Sequence, residues 1–265
     1  MSESGNLGGR VAIVTGSTSG IGLGVARALA AQGAHLLLNG FGDAAVIERL
    51  RAEIAERHAI RVAYSPCDIA RPEQVATMVA QAQDELGGVH ILVNNAGVQH
   101  VAPIEAFPDE QWDRVIAINL SGAFHASKAA IPAMKRQRWG RIINIASAHG
   151  LVGSAEKSAY VAAKHGLIGL TKVAAIELAP FGVTCNAICP GWVLTPLVQQ
   201  QLDARAKGEG RDVAAVTHDL LAEKQPMLRF TTPEQIGAFA AFLCSEAAAT
   251  ISGAPLSVDG GWVAQ

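Results

Sequence analysis

The chain has 265 residues, of which 50% are hydrophobic and 17% are charged, and its formal net charge is −2. The Lys and Arg residues are scattered, so the sequence offers no basic surface for nucleic acid or anionic lipid, and no apolar run is long enough to span a bilayer. We therefore expect one cytoplasmic domain over residues 1–265, with a small neutral or acidic molecule as its partner.

Apolar segments of strand length alternate with helical patterns along the chain. In order, the strand-like segments are RVAIVTG, HLLLNG, RVAYSP, HILVNN, RIINIAS, VTCNAICP and PLSVDGG. Near-continuous Val, Ile and Leu runs are typical of parallel strands covered on both faces, and right-handed crossovers then favour a doubly wound sheet. The predicted fold is α/β with a Rossmann-type doubly wound parallel sheet. The polar segment 196–226 interrupts the alternation, and we interpret it as a small helical lid.

The cysteines show no spacing typical of a metal site. Cys67, Cys185, Cys189 and Cys244 lack a C-x-x-C pair, and three of them lie in apolar surroundings. The sequence therefore predicts buried thiols, with no metal ion and no disulfide.

A glycine-rich turn, TGSTSGIGLG, follows the first predicted strand and opens a helix. Gly16, Gly20 and Gly22 allow a tight turn and a close approach of the backbone to a pyrophosphate, whose charge the helix N-terminus stabilises. The same pattern is also typical of a strand-to-helix turn without a ligand. If the turn binds a dinucleotide, Thr18, Ser19 and Ile21 belong to the cofactor site.

The end of the second predicted strand bears on the choice of cofactor. Its sequence, NGFGD, provides no Lys or Arg to receive the 2′-phosphate of NADP, and Asn39 stands where an acid often holds the ribose. The sequence therefore predicts NAD, with Phe41 packing on the adenosine side.

Two further strand ends contribute candidate cofactor residues. Asp68, which follows the third strand together with Ile69, either accepts a hydrogen bond from the adenine amino group or caps the next helix. The NNAG segment ends the fourth strand, and its Asn95, Ala96 and Gly97 either line the cofactor or stabilise the turn.

The segment SAHGLVGSAEKSAYVAAKHG gathers reactive side chains between a strand and a helix. Tyr160 and Lys164 are four residues apart and share one helix face, and Ser147 ends the preceding strand. An adjacent ammonium and a positive nicotinamide ring are expected to lower the pKa of the phenol, which makes Tyr160 the general base. Ser147 would bind the substrate oxygen, and Asn119 would hold a water behind Lys164.

Taken together, these motifs resemble the short-chain dehydrogenase/reductase family over nearly the whole chain. The resemblance rests on TGSTSGIG, NNAG, Asn119, Ser147, YVAAK and CPGWVLTP. It implies a single domain with about seven strands, a nicotinamide-dependent hydride transfer and, commonly, a homotetramer. It also implies that Pro190, Gly191, Val193 and Thr195 lie near the nicotinamide.

Within this family the chain is similar to bacterial members that oxidise a short 3-hydroxy acid, through NNAGVQH, NIASAHGLV, KSAYVAAKHG and NAICPGWV. The similarity implies oxidation of (R)-3-hydroxybutyrate to acetoacetate. It assigns the substrate carboxylate to a clamp formed by Gln99, His149, Lys157 and Gln201, with Trp192 and Trp262 as pocket walls. One ammonium, two amides and an imidazole are suitable donors for a carboxylate in a partly dry pocket.

Other interpretations of the same residues remain open. Each of these residues also has an interpretation without a ligand. His149 would be a loop residue and Lys157 a solvated cation at a helix start. The two glutamines would be surface amides, and the two tryptophans would belong to the core. The same clamp would serve a reductase of another short hydroxy acid or sugar-derived acid. A nucleotide-sensing protein without turnover is the alternative from another class, and the combination of Tyr160, Lys164 and Ser147 argues against it.

Overall fold

Seven parallel strands form one sheet in the order β3-β2-β1-β4-β5-β6-β7 in the computed structural model, which describes residues 7–264. The strands are β1 (Val11–Val14), β2 (His35–Asn39), β3 (Val62–Ser65), β4 (Ile91–Asn94), β5 (Gly140–Ile145), β6 (Val183–Pro190) and β7 (Pro255–Val258). Every segment predicted as a strand is confirmed, as is the doubly wound α/β fold. The predicted domain limits, residues 1 and 265, lie outside the described residues.

The strand order reverses between β1 and β4, which are neighbours in the sheet although β2 and β3 separate them in the chain. Side chains and loops diverge at the carboxyl ends of these two strands because the connections leave toward opposite faces of the sheet. Open α/β sheets bind ligands in the crevice at this point. The glycine turn after β1 and the NNAG segment after β4 both lie there.

Helices cover both faces of the sheet and bury its apolar side chains. They are α1 (Gly20–Ala31), α2 (Ala44–His58), α3 (Pro72–Leu86), α4 (Asp109–Ile116), α5 (Gly122–Gln137), α6 (Ser158–Leu178), α7 (Pro196–Glu209), α8 (Val213–Ala222) and α9 (Pro233–Cys244). One core packs α1 and α9 on the sheet, and the other packs α3, α5 and part of α6 on the opposite face. The all-apolar strands predicted from the sequence are therefore buried on both faces.

The polar segment 196–226 is helical, as predicted. Its two helices, α7 and α8, pack against each other through a small apolar core built on Leu202, Ala206 and Val216. Arg211, in the turn between them, pairs with Glu209 and Asp219. The hairpin thus has an internal core of its own, and its action as a lid stays a prediction.

The cysteines are buried free thiols, as predicted. Burial raises the pKa of Cys185 and of Cys244 to about 12. Among residues 7–264, no group of three or more His, Cys, Asp or Glu side chains is placed to hold a metal ion. In the same range, no helix is both long and apolar enough to cross a membrane.

Candidate active site

The glycine turn between β1 and α1 leaves a helix N-terminus open. Gly16 and Gly20 have φ angles of +63° and +55°, which favour glycine. A Cβ atom on Gly22 would lie 2.3 Å from the carbonyl oxygen of Gly16, so only glycine fits the close approach. Ser19 is the N-cap of α1, and its side chain makes no capping hydrogen bond. The first amide groups of α1 are therefore available to an anion.

The NNAG segment braces this turn from the neighbouring strand. Asn95 Nδ2 donates hydrogen bonds to the carbonyl oxygens of Thr15 (2.8 Å) and Gly16 (3.0 Å). Thr15 Oγ1 accepts from the backbone amides of Asn95 and Ala96. The turn-stabilising interpretation of Asn95 is therefore confirmed. Sequence reasoning missed Thr15, whose partners lie about 80 positions away.

Asn39, at the end of β2, points inward rather than toward a ribose site. Its side chain is buried, accepts from the amide of Gly16 (3.2 Å), and donates to the carbonyl oxygens of Ser65 and Cys67. Nearby Phe41 is 70% exposed, and its carbonyl oxygen accepts from Thr18 Oγ1. Asn39 thus holds the glycine turn in place, and this role needs a side-chain amide because the group both accepts and donates hydrogen bonds.

The two candidates after β3 have different surroundings. Asp68 Oδ1 accepts from the amide of Ala70 (2.9 Å), whereas the N-cap of α3 is Arg71. The helix-capping interpretation of Asp68 is wrong, because its carboxylate stabilises the turn that precedes the helix. Ile69 is buried, and a Cβ atom on Gly122 of α5 would meet its side chain at 2.2 Å. Ile69 thus joins this loop to the core.

The predicted group of Tyr160, Lys164 and Ser147 comes together beside β5. Lys164 is only 4% exposed, and its Nζ donates to the carbonyl oxygen of Ile145 (2.7 Å) and lies 5.5 Å from the centre of the Tyr160 ring. Burial lowers the pKa of Lys164 to about 8. The Ser147 hydroxyl hydrogen-bonds Tyr160 and accepts from the amide of His149. These contacts join the strand end to the helix face, as expected.

In the chain by itself, the pKa of Tyr160 is raised above its ordinary value. Burial raises the pKa of the phenol, and the hydrogen bond from Ser147 opposes that rise without cancelling it. The ammonium of Lys164 is engaged by the carbonyl oxygen of Ile145. The chain's own residues therefore favour the neutral phenol, and the expectation that the ammonium and a bound nicotinamide ring together lower this pKa stays a prediction.

Asn119 lies in a π-helical turn, Ala117–Ser121, between α4 and α5. Its Oδ1 accepts from the amide of Val98 and its Nδ2 donates to the carbonyl oxygen of Val98, both at 2.9 Å. Single π-helical turns inside a helix are frequent at functional sites. Here the turn fixes the loop that follows β4. The water that Asn119 is expected to hold stays a prediction.

Four of the predicted clamp and wall residues form a chain of ring contacts that begins at Tyr160. The His149 ring packs edge-on against Tyr160 (6.0 Å between centroids) and Trp262 (5.0 Å). The Trp192 and Trp262 rings are 6.1 Å apart, and Lys157 Nζ lies 5.7 Å from the Trp192 ring. This cluster gives the candidate site one cation, one imidazole and two aromatic rings.

The two predicted amides are placed differently. Gln99 follows β4 and Gln201 lies on α7, and both residues are exposed. The structure therefore does not bring either amide into the cluster around Tyr160, and their contact with a substrate stays a prediction.

A second lysine that the sequence did not single out acts on this cluster. Lys224 follows α8, and its charge helps to lower the pKa of Lys157 and of His149. Burial is the larger cause in both cases and brings the pKa of His149 to about 4. His149 is therefore neutral at pH 7. Two lysines next to a neutral imidazole create a positive potential that suits a carboxylate.

The segment after β6 connects the cofactor turn to the lid. Thr195 caps α7 by accepting from the amide of Val198, and a Cβ atom on Gly20 would lie 3.4 Å from its methyl group. Pro190 ends β6, and the amide of Gly191 donates to the carbonyl oxygen of Val258. Val193 forms a bridge with Thr231 on the far side of the lid.

Comparisons with known proteins match nearly the whole chain. A family model described as enoyl-(acyl carrier protein) reductase matches residues 16–263. D-beta-hydroxybutyrate dehydrogenase from Cupriavidus necator is 59% identical over 260 residues (98% of this chain, 100% of the relative). The protein of that name from Rhizobium meliloti is 52% identical over 256 residues (97% and 99%). The structure of L-sorbose reductase from Gluconobacter frateurii, complexed with NADPH and L-sorbose, has a TM-score of 0.94 at 31% identity and 98% coverage of both chains.

Proposed function

The chain belongs to the short-chain dehydrogenase/reductase family, and from this premise we propose that it oxidises (R)-3-hydroxybutyrate reversibly to acetoacetate with NAD. The observation that carries the proposal is the chain of contacts that links Tyr160 through His149 and the two tryptophans, Trp262 and Trp192, to Lys157. A cation and two aromatic walls next to the proton acceptor suit a short acid whose hydroxyl lies two carbons from its carboxylate.

Family membership implies a nicotinamide cofactor, and the glycine turn fits one. Gly16, Ser19, Gly20 and the uncapped N-terminus of α1 would hold the pyrophosphate. We propose NAD rather than NADP because residues 39–43 contain no cation for a 2′-phosphate. L-sorbose reductase, a structural relative, binds NADPH, so the preference requires its own measurement.

The proposed mechanism assigns one task to each side chain. When bound, the nicotinamide supplies the acceptor for the hydride that leaves the substrate carbon. Tyr160 takes the proton of the substrate hydroxyl. Ser147, which is hydrogen-bonded to the phenol, also binds the oxygen of that substrate hydroxyl. Lys164 places a positive charge 5.5 Å from the ring centre and stabilises the phenolate form of Tyr160, which is the form that accepts this proton. The product is a ketone, and the proton leaves through Tyr160.

The substrate carboxylate would lie between Lys157 and His149. Lys157 supplies the charge, and neutral His149 supplies one N–H donor. Closure of α7 and α8 would bring Gln201 to the same carboxylate, and Gln99 would reach it from the loop after β4. The predicted lid thus completes the clamp only after the substrate has entered.

We also propose that the chain assembles as a homotetramer. Several large apolar side chains are exposed on adjoining helices, which is typical of a surface covered by another subunit. They are Trp112 on α4, Phe124 on α5, and Val173 and Ile176 on α6. Light scattering after gel filtration should give about four chain masses, and Ile176→Glu should reduce that mass.

The test is a panel of alcohols followed by the absorbance of the reduced cofactor. (R)-3-Hydroxybutyrate with NAD should give the highest kcat/KM, and the (S)-enantiomer, L-sorbose-type polyols and NADP should give values at least tenfold lower. If a sugar-derived acid gave the highest kcat/KM, the proposed substrate would be wrong and the proposed reaction type would stand. Cofactor binding without turnover of any alcohol would favour the sensor and overturn the proposal.

A further inference from the structure

Gln225 is a completely buried amide at the neck of the lid, where no part of the proposed mechanism uses it. It is 0% exposed and lies three residues after the end of α8. A buried amide is costly unless its donor and acceptor are both satisfied. Gln225 therefore has a specific reason to be at this position.

The side chain of Gln225 joins the two ends of the lid. Its Oε1 accepts from the backbone amide of Trp192 (3.1 Å), and its Nε2 donates to the carbonyl oxygen of Arg229. The backbones beside these contacts are also paired, because the amide of Thr231 donates to the carbonyl oxygen of Trp192. The entry and the exit of the α7–α8 hairpin are thus fixed to one another through one amide group.

The same side chain packs against the turn that carries the second aromatic wall. A Cβ atom on Gly260 would lie 2.5 Å from Gln225 Cγ, and one on Gly191 would lie 2.8 Å from Gln225 Oε1. Gly260 also has a φ angle of +61°, and its carbonyl oxygen accepts from the amide of Met227. Two glycines therefore make room for Gln225, and the chain continues from Gly260 to Trp262 within two residues.

We propose that Gln225 is a positioning residue that sets the separation of Trp192 and Trp262 and, through it, the length of 3-hydroxy acid that the pocket accepts. The argument follows from the contacts, since Gln225 bonds the backbone of one tryptophan and packs under the turn of the other. The proposal rests on the proposed function for its substrate, but the placement of the two rings is a property of the chain alone.

The kinetic test compares Gln225→Met with wild type on 3-hydroxybutyrate and 3-hydroxypentanoate. Methionine has a similar length but cannot form a hydrogen bond with the backbone of Trp192 or of Arg229. We expect the KM for 3-hydroxybutyrate to rise at least fivefold while kcat changes less than twofold. The ratio of kcat/KM for the five-carbon acid to that for the four-carbon acid should rise at least threefold. An unchanged ratio would overturn the proposal.

The control is Gln81→Met, at another structural glutamine. Gln81 lies on α3, and its Nε2 donates to the carbonyl oxygen of Tyr64 (3.2 Å) in β3, at the opposite edge of the sheet from β6 and β7. Its loss should lower Tm and leave the chain-length ratio as in wild type. If Gln225→Met does not fold, Gln225→Leu replaces it, because leucine can neither accept from Trp192 nor donate to Arg229. A wild-type ratio in that variant would also overturn the proposal.

A second measurement separates this proposal from the proposed function. In protein labelled with 5-fluorotryptophan, the four tryptophans give four ¹⁹F signals, assigned by Trp→Phe variants. Gln225→Met should shift the signals of Trp192 and Trp262 and leave those of Trp112 and Trp139 in place. If wild type did not oxidise 3-hydroxybutyrate but these shifts occurred, only the substrate assignment would fail. Unmoved signals for both pocket tryptophans would contradict the positioning role.

Discussion

Proton transfer at Tyr160 depends on two opposing effects at one phenol. Burial raises its pKa, and the hydrogen bond from Ser147 lowers it. Lys164 is itself buried, and its pKa of about 8 leaves it mostly protonated at pH 7. Because alcohol oxidation consumes the phenolate form, its rate should increase with pH through the pKa of Tyr160. Ketone reduction requires the neutral phenol, so its rate should fall over the same range.

Replacing Tyr160 with Phe removes the proton acceptor and keeps the ring that packs on His149. We expect kcat to fall on the order of a hundred- to ten-thousand-fold, while cofactor binding and Tm stay close to wild type. Steady-state kinetics and a cofactor titration measure both quantities. Substantial residual activity with the wild-type pH dependence would exclude Tyr160 as the general base.

Lys157 tests whether the pocket recognises an anion. In Lys157→Ala, the acid should lose about 2–5 kcal/mol of transition-state binding, because its main cation is gone from a partly dry pocket. The methyl ester should lose much less. Lys224→Ala, which removes the more exposed of the two lysines, should give a smaller loss for the acid. Equal losses of kcat/KM for acid and ester in Lys157→Ala would show that Lys157 does not recognise the carboxylate and is only a solvated cation at the start of a helix.

At the scale of elements, the α7–α8 hairpin differs from the rest of the fold because it contains its own apolar core. That core involves Leu202, Ala206 and Val216, and the neck is the bridge between Val193 and Thr231. A unit with internal packing and a narrow neck can move without losing its own contacts. This arrangement supports a hinged lid more than a segment that folds only on binding.

Limited proteolysis tests the lid. Trypsin should cut first in the exposed turn around residues 207–211, and NAD together with a non-reacting 3-hydroxy acid analogue should slow that cut at least fivefold. Lys207→Gln removes one of the two trypsin sites in this turn and leaves Arg211, and mass spectrometry of the fragments identifies which bond is cut. Equal cleavage rates with and without both ligands would argue against closure.

The elements that the sequence predicts are those specified by local patterns. Continuous apolar runs specify the strands, and the spacing of Tyr160 and Lys164 places them on one face of α6. Thr15, Asn39 and Gln225 act through contacts with residues more than 20 positions away, so no local pattern identifies them. Lys224 was missed for the same reason, because only the folded hairpin brings its charge near His149.

At the scale of the whole molecule, the two ends of the sheet have different tasks. The carboxyl ends of the strands hold the candidate site, whereas the opposite end contains a half-buried structural histidine. His90 Nδ1 accepts from the amide of Val11 (3.1 Å) and so ties the start of β1 to the start of β4. Burial, assisted by the charge of Arg10, lowers the pKa of His90 to about 4. This hydrogen bond requires the neutral imidazole.

The lowered pKa of His90 predicts that the folded state loses stability in acid for a reason unrelated to the candidate active site. Between pH 6.5 and about 4, the histidine is protonated in the unfolded chain and neutral in the folded one. The unfolded state therefore binds more protons, and the free energy of unfolding falls as the pH is lowered through this window, by roughly 2 kcal/mol for His90. His149, with its pKa also lowered to about 4, contributes in the same direction.

His90→Asn separates the contribution of His90 to the loss of stability in acid from that of His149, because an asparagine keeps an acceptor for the amide of Val11 and does not titrate. Urea unfolding at pH 7.0 and pH 4.5, at one protein concentration because of the proposed assembly, should show a smaller loss of stability in His90→Asn than in wild type. The remaining loss should shrink further when His149→Gln is added. If His90→Asn lost as much stability as wild type between the two pH values, the acid sensitivity would have to arise elsewhere in the chain, and the neutral His90–Val11 contact would not be its source.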